Sequence, residues 1–275
     1  MLASMRIAFL LCQCLLVTVA AGEDKPVAGE PGRHSIRVVA QGFNAEEQDI
    51  SKVCLSAAAQ LQRWIPRLPR EDVVVTRGRE GPITLYERNA EKEVVIRLDT
   101  ETTLWAQYAY QFSHELCHVH CGFRPGPKQN LWFEESVCEA ASLFCLRGMA
   151  REWAVKAPYA NWTNYAHALR NYADGAMAKR PHRAEMTRKG LAAFYRDHEA
   201  EFRREGTNRD LNAMVAEALL GHLEEKPERW AAFGWLNATP RPDNESFAAY
   251  LDRWEKNAPE EHKETVRGVR ALFGL

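Results

Sequence analysis

The segment 122–129 places the tightest limit on how this chain can fold. It holds Gly122, Pro125, Gly126 and Pro127, residue types that stop helices and let the backbone reverse. On either side run long patterns of helical spacing, from about Thr102 to Cys121 and from about Leu131 to Trp153, with almost no β-branched runs. The turn can therefore fold the second helix back onto the first, so that side chains one helix apart in sequence meet in space.

The hundred residues before this pair have a different character. Ser35 to Phe43 carries the β-branched Ile36, Val38 and Val39 and predicts a strand. Ala45 to Ile65 switches to helical spacing through Ile50, Val53, Leu55, Leu61 and Trp64 and ends at Pro66. Val73–Thr76, Ile83–Glu87 and Glu93–Leu98 are three further short strands, with breakers at Gly78 and Gly81-Pro82. Beyond the long pair, helices are expected at Trp162–Ala178, Glu185–Arg204, Asp210–Leu223, Glu228–Leu236 and Ser246–Leu272, punctuated by prolines at 158, 181, 227, 240, 242 and 259. The expected class is α+β: a small N-terminal mixed sheet with one helix over 35–101, followed by a mainly helical half over 102–275. Trp230, Trp235 and Trp254 read as core anchors.

Composition narrows the function classes. With 46% hydrophobic and 27% charged residues in 275, the chain has enough apolar area for a packed core. Lys plus Arg number 36 against 37 Asp plus Glu, a net charge of -1, so no basic field exists to hold nucleic acid. The first 21 residues read as a cleavable signal peptide: Arg6, an apolar run from Ile7 to Val19, then the small exit Val19-Ala20-Ala21. That run is about 13 residues, short of the roughly 20 that span a bilayer. A secreted or periplasmic protein without stable membrane insertion is expected, led by a flexible stretch over 22–34. Five cysteines then remain, Cys54, Cys117, Cys121, Cys138 and Cys145. An odd number leaves at least one thiol unpaired within the chain, and spacing leaves open whether the others are buried thiols or one or two disulfides.

One constellation carries chemistry. Gln111-Phe112-Ser113-His114-Glu115-Leu116-Cys117-His118 lies inside the first long helix. At about 100° per residue, His114 and His118 differ by roughly 40° around the axis and one turn along it, so both rings can meet one tetrahedral cation. Glu115 is turned about 100° from His114, where it can reach a water on the open side of the ion. The second helix opens with Trp132-Phe133-Glu134-Glu135-Ser136-Val137-Cys138-Glu139 and places carboxylates to complete the site. Two histidines and one glutamate leave a fourth position open, as a catalytic zinc requires. A closed structural site built on His118 with Cys117 and Cys121 is disfavoured, because it leaves Glu115 and the second-helix acids unexplained and the chain lacks paired Cys-x-x-Cys spacing there. His120 is turned about 160° from His118 and reads as packing or surface.

This arrangement resembles the gluzincin metallopeptidases, the group containing thermolysin and the zinc aminopeptidases, over about forty residues. The resemblance implies zinc held by His114, His118 and Glu135, with Ser136 where the aminopeptidase branch has glycine. It implies Glu115 as general base, a zinc-peptidase-like fold with this helix at a cleft, and a peptide or protein as substrate. From the thermolysin branch it implies that Glu139 orients His114 by a hydrogen bond. Glu134 reads as a solvated helix start, favoured there by the helix dipole. Two features of the family are missing: a Gly-x-Met-Glu-Asn segment for capturing a substrate amine, and a tyrosine in a Tyr-x-Lys-Gly context, where Thr187 stands instead. Tyr159, Tyr165, His167, Tyr172 and Tyr195 are the oxyanion donors left to consider. A sheet edge near Ile83–Arg97 offers an extended peptide a strand to pair with. The alternative to a peptidase is a zinc-bearing binding or scaffold protein that has lost turnover.

Overall fold

The computed structural model describes residues 35–65 and 71–275. The expected signal peptide, the lead-in and Pro66 lie outside the described residues. The first part is a sheet with one helix. Strand β1 (Ile36–Val38) leads into α1 (Glu47–Gln62), followed by β2 (Val73–Arg77), β3 (Ile83–Arg88) and β4 (Val94–Leu98). The strand order is β1-β2-β4-β3, with β1, β2 and β4 parallel and β3 antiparallel to β4. The inner strands β2 and β4 bury Val73, Val74, Val75, Val94, Ile96 and Leu98; in β4 burial alternates, with Arg97 exposed, so that strand sets one face on the core. Among the described residues β3 has one neighbour, β4, and stands at the edge of the sheet.

The remainder is helical: α2 (Trp105–His120), α3 (Leu131–Lys156), α4 (Ala166–Ala178), α5 (Arg183–Lys189), α6 (Leu191–Arg204), α7 (Arg209–Glu225), α8 (Phe247–Asn257) and α9 (Glu260–Leu272), with 3-10 turns at Ala160–Tyr165 and Pro227–Trp235. α3 is the centre. It packs against α1, α2, α4 and α7 and buries residues around its whole circumference, among them Trp132, Phe133, Val137, Leu143, Phe144 and Leu146. A helix apolar on every side belongs in the interior. At its start, Trp132 and Phe133 join Tyr195, Phe202, Phe247 and Phe273 in one aromatic cluster that locks α3 to α6, α8 and the C-terminus.

Several local expectations are corrected. The first strand covers three residues rather than nine. The helix expected over 185–204 is two, because Gly190 sits at φ +75° between α5 and α6, a conformation that ends a right-handed helix. The segment expected as a helix over 228–236 is a 3-10 turn. All five described cysteines are buried free thiols. Among the described residues no helix is long and apolar enough to cross a membrane.

Candidate metal centre

The end of α2 is shaped by Gly122. Its φ of +77° allows the paired bonds Phe123 N–H to His118 O (3.1 Å) and Gly122 N–H to Val119 O (3.2 Å), the Schellman arrangement that closes a helix C-terminus. This turn swings the Phe123 ring against the His118 imidazole, with centroids 5.4 Å apart. On its other side Phe123 stacks on Tyr86 of β3 at 4.2 Å and 9°. The helix end carrying the histidines is thereby tied to the sheet edge.

His114 and His118 lie one turn apart on α2, with ring centroids 5.2 Å apart. Glu135, on the first turn of α3, reaches both: its Oε2 is 3.2 Å from His114 Nε2 and its Oε1 is 3.7 Å from His118 Nε2. Zinc bonds of about 2.0–2.1 Å at tetrahedral angles put ligand atoms ~3.3 Å apart; the two Glu135 contacts lie near that edge but run to different carboxylate oxygens. The His114 and Glu135 side chains keep 19% and 21% exposure against 7% for His118, so the site opens to solvent on the His114–Glu135 side. Glu135 hydrogen-bonds the His114 ring and faces the His118 ring at ion-pair distance. Burial works against charge on His118, yet its hydrogen bond to Glu134 and the charges of Glu135, Glu134 and Glu115 raise it to about 10. Burial would push the Glu135 carboxyl up, but the His114 hydrogen bond and the His118 charge bring it down to about 2. Both shifts have one cause, the imidazoles and carboxylates facing each other in a buried place.

Glu134 corrects the sequence expectation. It is not a solvated helix start but the least exposed carboxylate of the site, at 1%. Its Oε1 stands 2.8 Å from His118 Nδ1, while Oε2 accepts from Asn237 Nδ2 (2.9 Å) and Arg241 Nη1 (3.1 Å). Asn237 is fixed in turn by its backbone N–H, which bonds the Cys121 carbonyl at the end of α2 (3.1 Å). Arg241 reaches back across Gly126, where a Cβ would come within 3.3 Å of its Nε. Neither Asn237 nor Arg241 was anticipated, since both come from a loop a hundred residues downstream.

Glu139 is corrected as well. Its carboxylate accepts from the Tyr110 hydroxyl and from Arg180 Nη2 (2.5 Å), rather than bonding His114. Arg180 also bonds the Ala213 carbonyl. Glu139 therefore ties α3 to α2, to the end of α4 and to α7, a structural task; the carboxylate that orients a ring is Glu134, on the other histidine.

Glu115 is buried, and its Oε2 lies 2.8 Å from Thr84 Oγ1 on β3, a hydroxyl that is also 3.0 Å from the Glu115 carbonyl. The edge strand thus holds this carboxylate directly. Of the tyrosines considered as oxyanion donors, Tyr165 receives the Ala106 N–H at the start of α2 (3.2 Å), Tyr172 packs on Tyr110, Tyr159 packs on Trp162, and Tyr195 is buried in the aromatic cluster. His167 is exposed on α4. Tyr86, stacked on Phe123 at the sheet edge, was not among the tyrosines considered; it is 47% exposed, and desolvation, followed by the charge of Glu134, raises its phenol.

His120 is buried behind α2. Cys117 and Cys121 have their sulfurs 3.9 Å apart. Cys138, one turn beyond Glu134 on α3, offers a sulfur that lies with ligand atoms of His114 and His118 in a group all within 4.8 Å of one another. Against known proteins, no family model matches the chain, and neither curated proteins nor solved structures include a match.

Proposed function

We propose that the chain is a secreted or periplasmic zinc-dependent peptidase of gluzincin type, in which His114, His118 and Glu135 hold the ion and Glu115 is the general base. The observation that carries this reading is the approach of Glu135 to both histidines, at 3.2 and 3.7 Å, from a second helix and on a face that stays open to solvent. The donor set of two imidazoles and one carboxylate fits zinc, and the carboxylate on His118 Nδ1 leaves Nε2 for the ion. Zinc in such a site supplies a Lewis acid that polarises a carbonyl and brings the pKa of water toward neutrality.

The chain's own groups do the rest. Glu115 takes the proton of the attacking water and passes it to the leaving amine, its carboxylate aimed by the Thr84 hydroxyl. An extended peptide pairs with the edge strand β3, which brings its backbone alongside Thr84 and Tyr86. Tyr86 donates to the oxyanion that forms at the scissile carbon.

A second reading has one observation in its favour, the sulfur of Cys138 near both histidines. If that thiolate fills the fourth position, the site is closed, and the protein is a zinc-bearing binding or scaffold protein without turnover. Zinc analysis combined with a peptide-library digest of the wild type and Glu115→Gln separates the readings. The peptidase reading expects stoichiometric zinc in both proteins and cleavage by the wild type alone. Zinc without cleavage in the wild type supports the scaffold, and cleavage by Glu115→Gln at the wild-type rate ends the general-base role.

A further inference from the structure

A separate cluster of donor atoms stands on the α5–α6 elbow, joined by Gly190 and made of residues the peptidase reading does not use. His182 precedes α5, Glu185 lies in its first turn and His198 lies on α6. Glu185 Oε2 is 3.4 Å from His182 Nδ1 and 3.4 Å from His198 Nε2, and the three ligand atoms form a group all within 4.8 Å of one another. These spacings again match the ~3.3 Å edge of a zinc tetrahedron.

The surroundings are arranged as a ligand set requires. Lys189 Nζ holds the other Glu185 oxygen at 2.8 Å, leaving Oε2 to face the two imidazoles, and Lys189 is itself paired with Asp197. His198 turns its Nδ1 toward Glu201 Oε2 at 3.7 Å, and Glu201 is steadied by Asn208 Nδ2 at 3.0 Å. Glu201 thus stands at ion-pair distance from the far nitrogen, on the side where a metal-binding histidine commonly has a carboxylate. Phe194 packs on both rings, 5.8 Å from His182 and 4.5 Å from His198, and limits their rotation. The donors keep between 19% and 33% side-chain exposure, so an ion can enter from solvent.

We infer that His182, Glu185 and His198 form a second site for a divalent cation of the zinc class, independent of the centre on α2 and α3. With two nitrogens and one oxygen it suits zinc, nickel or copper rather than calcium or magnesium. Bound there, the ion clips α5 to α6 across the Gly190 break.

The test uses the full-length protein stripped by a chelator and titrated with zinc, with stoichiometry read by elemental analysis and calorimetry. Two zinc ions per wild-type chain are expected, one in His198→Gln, one in His182→Gln and one in His114→Gln. Glu201→Gln is expected to weaken the second site by about 10–100-fold. In the unsubstituted protein, zinc should protect His182 and His198 from acylation by diethylpyrocarbonate, mapped by mass spectrometry. Zinc stoichiometry unchanged in His198→Gln and His182→Gln, loss of all zinc in His114→Gln, or acylation of both histidines unaffected by zinc overturns the inference. A single zinc in the wild type that survives in His114→Gln but not in His198→Gln upholds this site and removes the one on α2.

Discussion

His118 presents its Nδ1 to Glu134 Oε1 at 2.8 Å, and that contact fixes which nitrogen remains for a cation. Glu134 is buried with Arg241 Nη1 and Asn237 Nδ2 on its other oxygen, so it joins the histidine to a loop far away in sequence. Glu134→Gln keeps the shape but removes the charge that orients the ring and balances Arg241. Zinc affinity is expected to fall about 10–100-fold, and the metal-free protein is expected to lose about 3 kcal/mol because Arg241 is left uncompensated. Competition with a chromophoric chelator and denaturant melts measure the two effects; unchanged zinc affinity would show that Glu134 does not orient the ligand.

Cys138 decides between an open and a closed site. If the fourth position is free, Cys138→Ala retains stoichiometric zinc and turnover, and costs about 1 kcal/mol of stability as a small buried truncation. The cobalt-substituted wild type then shows no sulfur-to-metal charge-transfer band. Loss of the metal in the variant, or such a band in the wild type, makes the thiolate a ligand and favours the scaffold reading.

Tyr86 is the donor argued for the oxyanion. Tyr86→Phe preserves the stack on Phe123 and removes only the hydroxyl. A fall in kcat of about a hundredfold is expected, with KM and zinc content little changed. An equal loss in 1/KM alone would mean that the phenol binds substrate in its ground state and does not act on the transition state.

The sequence made the helix pair and the His114–Glu115–His118 face readable because both depend on short-range periodicity and on a Gly/Pro reversal. The turn brought the second-helix acids to the site, and only the resemblance singled out Glu135 among them. The supporting groups were not readable, for a physical reason: Asn237 and Arg241 meet Glu134 only through a tertiary contact more than a hundred residues long, which no local pattern encodes. The misreading of Glu134 arose because the first turn of a helix is usually exposed, whereas the first turn of α3 turns Trp132, Phe133 and Glu134 into the interior. Glu139 shares a helix face with Glu135, but Arg180 and Tyr110 lie within its reach and take the carboxylate. The break at Gly190, by contrast, was open to a sequence argument, since glycine at a left-handed position is a common helix stop.

The strand proposed to hold the substrate depends on a pH-sensitive anchor at its start. Arg77 Nη1 pairs with Asp99 Oδ1 at 2.7 Å, and Gly81 N–H donates to Asp99 Oδ2 at 3.0 Å, so the end of β4 holds the turn that leads into β3. The Arg77 hydrogen bond, followed by the Gly81 N–H, lowers the Asp99 carboxyl below its usual range. A carboxyl with a depressed folded pKa adds stability that is full above its unfolded value, about 3.9, and is lost as pH falls through the folded value. The pair is partly exposed, so its contribution is about 1 kcal/mol. Asp99→Asn should therefore melt lower than the wild type at pH 7, with the gap narrowing as pH drops below about 4. Thermal melts of both proteins from pH 7 to pH 3 read this directly, and a gap that stays constant or widens toward acid would show that the Asp99 charge does not anchor β3.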